Sequence, residues 1–147
     1  MDKLDKHTLI SQYIEHNHFG RLVGMTFEIE QPGTVTYSLT IGEDHLATPR
    51  AAHGGVLSAL LDATLGVGAL SLVCEAFDVV STVNMQVTFL EAALMGDILT
   101  SRSKVIRSGK RLIFMEAIIE NQAGLIVAQA NGVFNRYPAV KAGYSCL

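Results

Sequence analysis

The chain has 147 residues, the size of one ordinary domain, which buries roughly 68–70% of the surface its unfolded form exposes and so needs neither disulfides nor a metal to fold. Apolar residues make up 49% and charged residues 17%, which excludes a disordered chain. A formal net charge of -3 argues against a nucleic-acid binder, which carries a basic face.

Residues 4–17 read as a short amphipathic helix, with Leu9, Ile10, Tyr13 and Ile14 on one face. Gly20 is the expected stop. Residues 23–30 alternate, with Met25, Phe27 and Ile29 facing one way. After the turn signal Pro32-Gly33, residues 34–41 place Val35, Tyr37, Leu39 and Ile41 on one side, so a hairpin is predicted. A loop over 42–52 leads into a long helix over about 54–74. Next comes a strand over 79–90 with Val83, Met85, Val87 and Phe89 on one side. Strands at 98–107 and 111–120 form a hairpin around Ser108-Gly109-Lys110. A last strand covers 125–137, where Ala128, Ala130 and Gly132 leave room for something bulky. From Pro138 onward a loose tail is expected.

This order has no repeat and no linker, so one domain is expected over residues 1–147. Hairpin connections predict an antiparallel sheet, giving an α+β fold with the sheet curved around the long helix. The sheet's other face is left to solvent or to a second subunit.

The apolar run at 54–74 approaches the ~20 residues that span a bilayer. Asp62 lies near its middle, where a charge costs roughly 2.5–3.5 kcal/mol on insertion, and Gly66 and Gly68 weaken it as a lone helix. A helix apolar all round in a domain of amphipathic strands is a buried core helix, so no membrane span is expected. Cys74 and Cys146 form no C-x-x-C pair, and the start is not a signal sequence, so a cytoplasmic location is expected. His16 and His18 lack a carboxylate-rich partner segment, and no metal is expected.

The informative segment is H53-G54-G55-V56-L57-S58-A59-L60-L61-D62. Glycines at a helix start let a ligand approach the backbone, and the first N–H groups there lack internal partners and favour negative charge. That suits the oxyanion of an attacked thioester carbonyl; a plain tight turn is the alternative. Asp62, inside an apolar helix, is desolvated and would hold a proton more readily, as a base must. Its alternative is a buried hydrogen bond fixing helix register. Gly54 and Asp62 are eight residues apart, hence ~12 Å along the axis, too far to act on one carbonyl. Two antiparallel helices across a two-fold axis would bring each aspartate to the other's glycines.

The spacing H-G-G-x(6)-D, the strand S-T-V-N-M-Q-V-T-F-L at 81–90, the segment from Gly20 to Met25 and A-Q-A-N-G-V-F at 128–134 together resemble the hotdog-fold acyl-CoA thioesterases of the PaaI type, in the thioesterase superfamily. The resemblance covers nearly the whole chain. It implies a hotdog fold, a homodimer or homotetramer with sites shared between subunits, acyl-CoA as substrate and no cofactor. Carried over, Gly54 donates the oxyanion N–H, His53 buttresses that turn, and Asp62 is general base or nucleophile. Thr82 matches a hydroxyl position that helps place water. Gly55 and Asn84 are expected to contact substrate.

Lys104, Arg107, Lys110 and Arg111 share one hairpin and could bind the nucleotide phosphates of coenzyme A; solvated hairpin charges are the alternative. The chain departs from the family at Ala47, six residues before His53, where many relatives carry Asn or Gln. Losing one such donor costs about 100–1,000-fold in rate elsewhere, and His45 and Arg50 are candidate substitutes. An acyl-CoA-binding protein without turnover is therefore a rival reading. A hotdog dehydratase or hydratase is a third, needing a His such as His45 to converge with a carboxylate.

Overall fold

The computed structural model describes residues 7–146. Helix α1 (Thr8–His16) and α2 (His18–Val23) precede the hairpin β1 (Thr26–Gln31) and β2 (Thr34–Thr40). Then come the central helix α3 (Gly54–Val73) and strands β3 (Asp78–Phe89), β4 (Ile98–Ser108), β5 (Leu112–Glu120) and β6 (Ile126–Pro138). All pairs are antiparallel, in the order β1-β2-β4-β5-β6-β3. The strand that follows α3 therefore lies at one edge, beside the last strand.

The sheet curves around α3, which contacts all six strands. Val35, Tyr37, Leu39 and Ile41 are buried as their alternation predicts, as are Leu99, Ile113, Met115 and Ile119. They meet Leu57, Leu60, Leu61 and Leu65 of α3. Helix and sheet approach closely at Gly68, where an added Cβ would lie 2.6 Å from Ser103 Oγ and 2.8 Å from Met115 Cε. The bulky group over the small residues of β6 is Leu65, whose Cδ1 stands 3.1 Å from the Cβ position of Gly132. Two serines lock the first hairpin onto this core. Gly33 N–H donates to Ser71 Oγ at 2.8 Å, and Ser103 Oγ donates to Gly33 O at 2.9 Å. The segment Gly54–Ala76, with a mean hydropathy of 1.9, is long and apolar enough to cross a membrane; here the sheet supplies its apolar surroundings.

Several boundaries differ from the sequence reading. Residues 4–6 of the expected first helix lie outside the described residues. The helix breaks at Asn17, whose side chain accepts from Gly20 N–H at 3.1 Å and starts α2. Gly20 is thus inside a helix, and Gly24, at φ 89°, ends it. Ile14, expected on the buried face, is exposed.

The expected loose tail is instead packed. Ala139 is fully buried, and its N–H donates to Phe77 O at 3.0 Å. Gln12 and Ser145 exchange two hydrogen bonds, of 2.8 and 3.0 Å, and Tyr144 meets the His16 ring edge-on. Pro138 ends the ladder, but a short 3-10 turn over Ala139–Ala142 carries the chain back over α1.

The face assignment of β3 also changes. A bulge interrupts its pairing with β6: Thr82 pairs with Phe134 and Asn84 with Val133, leaving Val83 without an opposite residue. Val83 is 61% exposed. The bulge reverses the alternation, so Thr82 faces the helix together with Met85, Val87 and Phe89 rather than opposite them.

Candidate active site

The site is built from α3 and the edge strand beside it. His53 is the N-cap of α3, in extended backbone geometry, and its Nδ1 accepts from Gly55 N–H at 2.7 Å. Val56 N–H is engaged by His53 O at 2.9 Å. Among the described residues no acceptor engages Gly54 N–H. The cap therefore satisfies the neighbouring donors and leaves the Gly54 N–H at the positive end of a 20-residue helix. Gly55, expected to contact substrate, has its N–H committed to His53. A Cβ on Gly54 would sit 3.4 Å from the Phe89 ring, so Phe89 walls this end.

Two turns further on, Asp62 is half-buried rather than sealed in the core. Thr82 Oγ1 donates to its Oδ1 at 2.7 Å. Asp62 and Thr82 open onto a cavity of about 300 Å³ whose remaining wall includes Gly66, Leu70, Val79, Phe134, Tyr13 and Tyr144. Tyr13 lines the same cavity, and both Tyr13 and Tyr37 lie within electrostatic reach of Asp62. Burial pushes the Tyr13 phenol above its ordinary value, and the charges of Tyr144 and Asp62 add to this. Burial raises Tyr37 further, with Tyr13 and Asp62 as lesser causes. Tyr37 is fully buried, and its hydroxyl has no hydrogen-bond partner among the described residues. Sequence reading placed both tyrosines on apolar faces and could not foresee this convergence, because α1 and β2 meet Asp62 only in the folded chain.

The structure thus joins Asp62 to Thr82 and His53 to the Gly54-Gly55 start, but keeps the two pairs apart. Neither Gly54 nor His53 lines the cavity at Asp62. Asn84 is exposed beyond the bulge, on the residue pair with Val133. Arg107, Lys110 and Arg111 are exposed at the β4–β5 hairpin. Lys104 differs from them, paired with Glu116 at 3.7 Å. The hairpin lies at the same end of the sheet as Thr82, since Ile113 pairs with Phe134 and Phe134 with Thr82.

Ala47 is exposed on the loop before α3, its N–H bound to Ala51 O at 3.0 Å. His45 does not replace the missing polar group. Its Nδ1 accepts from Gly42 N–H at 2.9 Å and its Nε2 donates to Val23 O at 2.6 Å. With both ring nitrogens committed to backbone, His45 has no free atom for a substrate proton, which removes the support for a dehydratase. The Arg50 side chain is exposed and makes no hydrogen bond among the described residues.

The thioesterase superfamily model matches residues 51–128, from just before His53 through α3, β3, β4 and β5 to the start of β6. Human acyl-coenzyme A thioesterase 13 is 26% identical over 124 residues, which covers 82% of this chain and 86% of that protein. Among solved structures, the Escherichia coli PaaI protein of the phenylacetic acid degradation operon superposes with a TM-score of 0.82 at 22% identity, covering 91% of this chain and 94% of its own. A hypothetical thioesterase protein of Streptococcus pneumoniae, solved with coenzyme A, gives a TM-score of 0.71 at 24% identity, covering 78% and 86%. The structural likenesses establish the hotdog fold, a curved antiparallel sheet around one long helix. The family match spans more than half of the chain, and the protein belongs to the thioesterase superfamily as a thioester hydrolase.

Proposed function

We propose that this protein hydrolyses acyl-CoA thioesters in the cytoplasm, at a site shared by two subunits and without a cofactor. The observation that carries this reading is the Asp62–Thr82 pair on the wall of a cavity lined mostly by aliphatic and aromatic residues, two turns away from a backbone donor on the same helix that no acceptor engages among the described residues. Asp62 takes a proton from water while the water oxygen adds to the thioester carbonyl. The negative charge that develops on the carbonyl oxygen is met by the Gly54 N–H of the second subunit. Collapse of the tetrahedral adduct breaks the C–S bond, and the proton held by Asp62 passes to the leaving sulfur, giving a carboxylic acid and free coenzyme A. If Asp62 attacks directly, an acyl-aspartyl anhydride forms first and water then opens it. Single turnover in ¹⁸O-water separates the two routes, since the anhydride route can leave label in Asp62.

The edge position of β3 supports sharing. Thr82 accompanies Asp62 in the first half of β3, and Phe89 accompanies Gly54 at its last residue. Antiparallel pairing of two β3 strands, centred between these positions, brings the Gly54 end of one subunit to the Asp62 end of the other. Val83 and Phe89, 61% and 52% exposed on one chain, would be covered in such a dimer, and an open 12-residue edge strand is a ready template for pairing.

Ala47 favours the second reading, a protein that binds acyl-CoA without turning it over. An assay of the purified protein against a panel of acyl-CoAs, with a dye that traps free thiol, decides between the two. Thiol release that disappears in Asp62→Asn supports hydrolysis. Tight binding of acyl-CoA with no thiol release overturns it.

A further inference from the structure

We infer that Tyr144 and Tyr13 form the end wall of the acyl-binding cavity and set the length of acyl group the enzyme accepts; this rests on the thioesterase reading above. Among the described residues, the cavity beside Asp62 has no lysine or arginine in its lining, and Asp62 is its one carboxylate. Such a cavity repels the diphosphate of coenzyme A and suits the uncharged acyl portion of the substrate. Its volume is about 300 Å³, roughly twice the ~150 Å³ that suffices for benzene in an apolar cavity. It therefore takes a compact acyl group and not an extended long chain.

The wall opposite the sheet is not part of the helix-in-sheet core. Tyr13 comes from α1, and Ala142 and Tyr144 from the segment that follows β6. This wall is fastened in three places. Gln12 and Ser145 exchange their two hydrogen bonds, Tyr144 packs edge-on to His16, and Tyr13 leans on Phe27 with ring centroids 6.2 Å apart. A longer acyl chain entering from Asp62 runs into these two rings and must displace them. Tyr144 is half-buried between exposed neighbours, with residues 140–143 and Ser145 open to solvent, so it is the part of the wall a substitution can open without disturbing the core.

The experiment compares kcat/KM for butanoyl-CoA and dodecanoyl-CoA in the wild type, Tyr144→Ala, Tyr144→Phe and Gln12→Ala. The ratio of long to short substrate is expected to rise about tenfold or more in Tyr144→Ala, the scale on which pocket size discriminates between substrates. Gln12→Ala, which cuts the clasp but keeps both rings, should move the ratio the same way by less. Tyr144→Phe keeps the ring and should keep the wild-type ratio. An unchanged ratio in Tyr144→Ala, in protein whose circular dichroism and melting match the wild type, overturns the inference. A shift in Tyr144→Phe as large as that in Tyr144→Ala also overturns it, because the hydroxyl and not the ring would then be responsible. If Tyr144→Ala does not fold, the Gln12→Ala ratio decides by the same criterion. Should the wild type turn over no acyl-CoA at all, the thioesterase reading fails by itself. The wall is then tested by the affinities of non-hydrolysable butyl- and dodecyl-CoA thioethers across the same variants, with the same expected shift.

Discussion

Thr82 Oγ1 donates a 2.7 Å hydrogen bond to Asp62 Oδ1, across from an edge strand to the middle of the central helix. The bulge at Val83 makes this possible. Without it, the alternation of β3 would turn Thr82 away from α3 whenever Met85 and Val87 faced it. The bond holds one carboxylate oxygen, and the other has no hydrogen bond among the described residues, so the bond orients the carboxylate without neutralising it.

Thr82→Ala should therefore lower kcat by about tenfold to a hundredfold, matching the 1.5–3 kcal/mol typical of a hydrogen bond to a charged group. Thr82→Ser should restore most of the rate. Steady-state kinetics on one good acyl-CoA checks this, and equal rates for Ala and Thr at position 82 would rule out an orienting role.

Asp62→Asn should abolish turnover while retaining the fold and acyl-CoA binding, since it keeps size and hydrogen-bonding ability but removes the base. Gly54→Val should be inactive for another reason. Its side chain begins 3.4 Å from the Phe89 ring and fills the space that the acyl oxygen needs. In a mixed dimer of the two variants, one site carries both defects and the other neither. Co-expression should recover up to about half of wild-type activity per heterodimer. Inactive heterodimers would place base and oxyanion donor in the same chain.

His53→Ala removes the side-chain cap on Gly55 N–H and should cost about 0.5–2 kcal/mol of stability, read as a lower urea midpoint with an unchanged m-value. His53→Asn, a good N-cap, should recover much of that loss. If His53→Ala melts like the wild type, the 2.7 Å contact contributes no net stability.

Arg107 and Lys110 are exposed and make no ion pair among the described residues. Changing both to Ala should raise KM for acyl-CoA several-fold, because exposed charge pairs are worth about 0.2–1 kcal/mol each, and should weaken its salt dependence. Hydrolysis of a short pantetheine thioester, which lacks the nucleotide, provides the contrast. Equal losses on both substrates would assign the hairpin to folding instead.

Light scattering at micromolar concentration should give at least twice the 15.9 kDa of the single chain. A monomer that still hydrolyses acyl-CoA would contradict a shared site.

Much of this protein was legible in its sequence. Period-two alternation in residues 34–41 fixed which side of β2 is core, because one buried face tolerates no slip of register. An almost continuously apolar segment opened by His53-Gly54-Gly55 read as a buried central helix, whose N-terminal N–H groups have no partners within the helix. The ~12 Å between Gly54 and Asp62 followed from helix rise alone. Three features depended on contacts distant in sequence. Whether Thr82 faced Asp62 was decided by one bulged residue, which local alternation does not reveal. The segment after Pro138 carries no strong pattern of its own, and it packs because Phe77 O, Gln12 and His16 lie where it passes. His45 looked like a spare catalytic histidine until the fold brought Gly42 N–H and Val23 O to its two ring nitrogens. Local pattern determines which face of an element is buried, whereas the partner a polar side chain finds there is set by elements that meet only on folding.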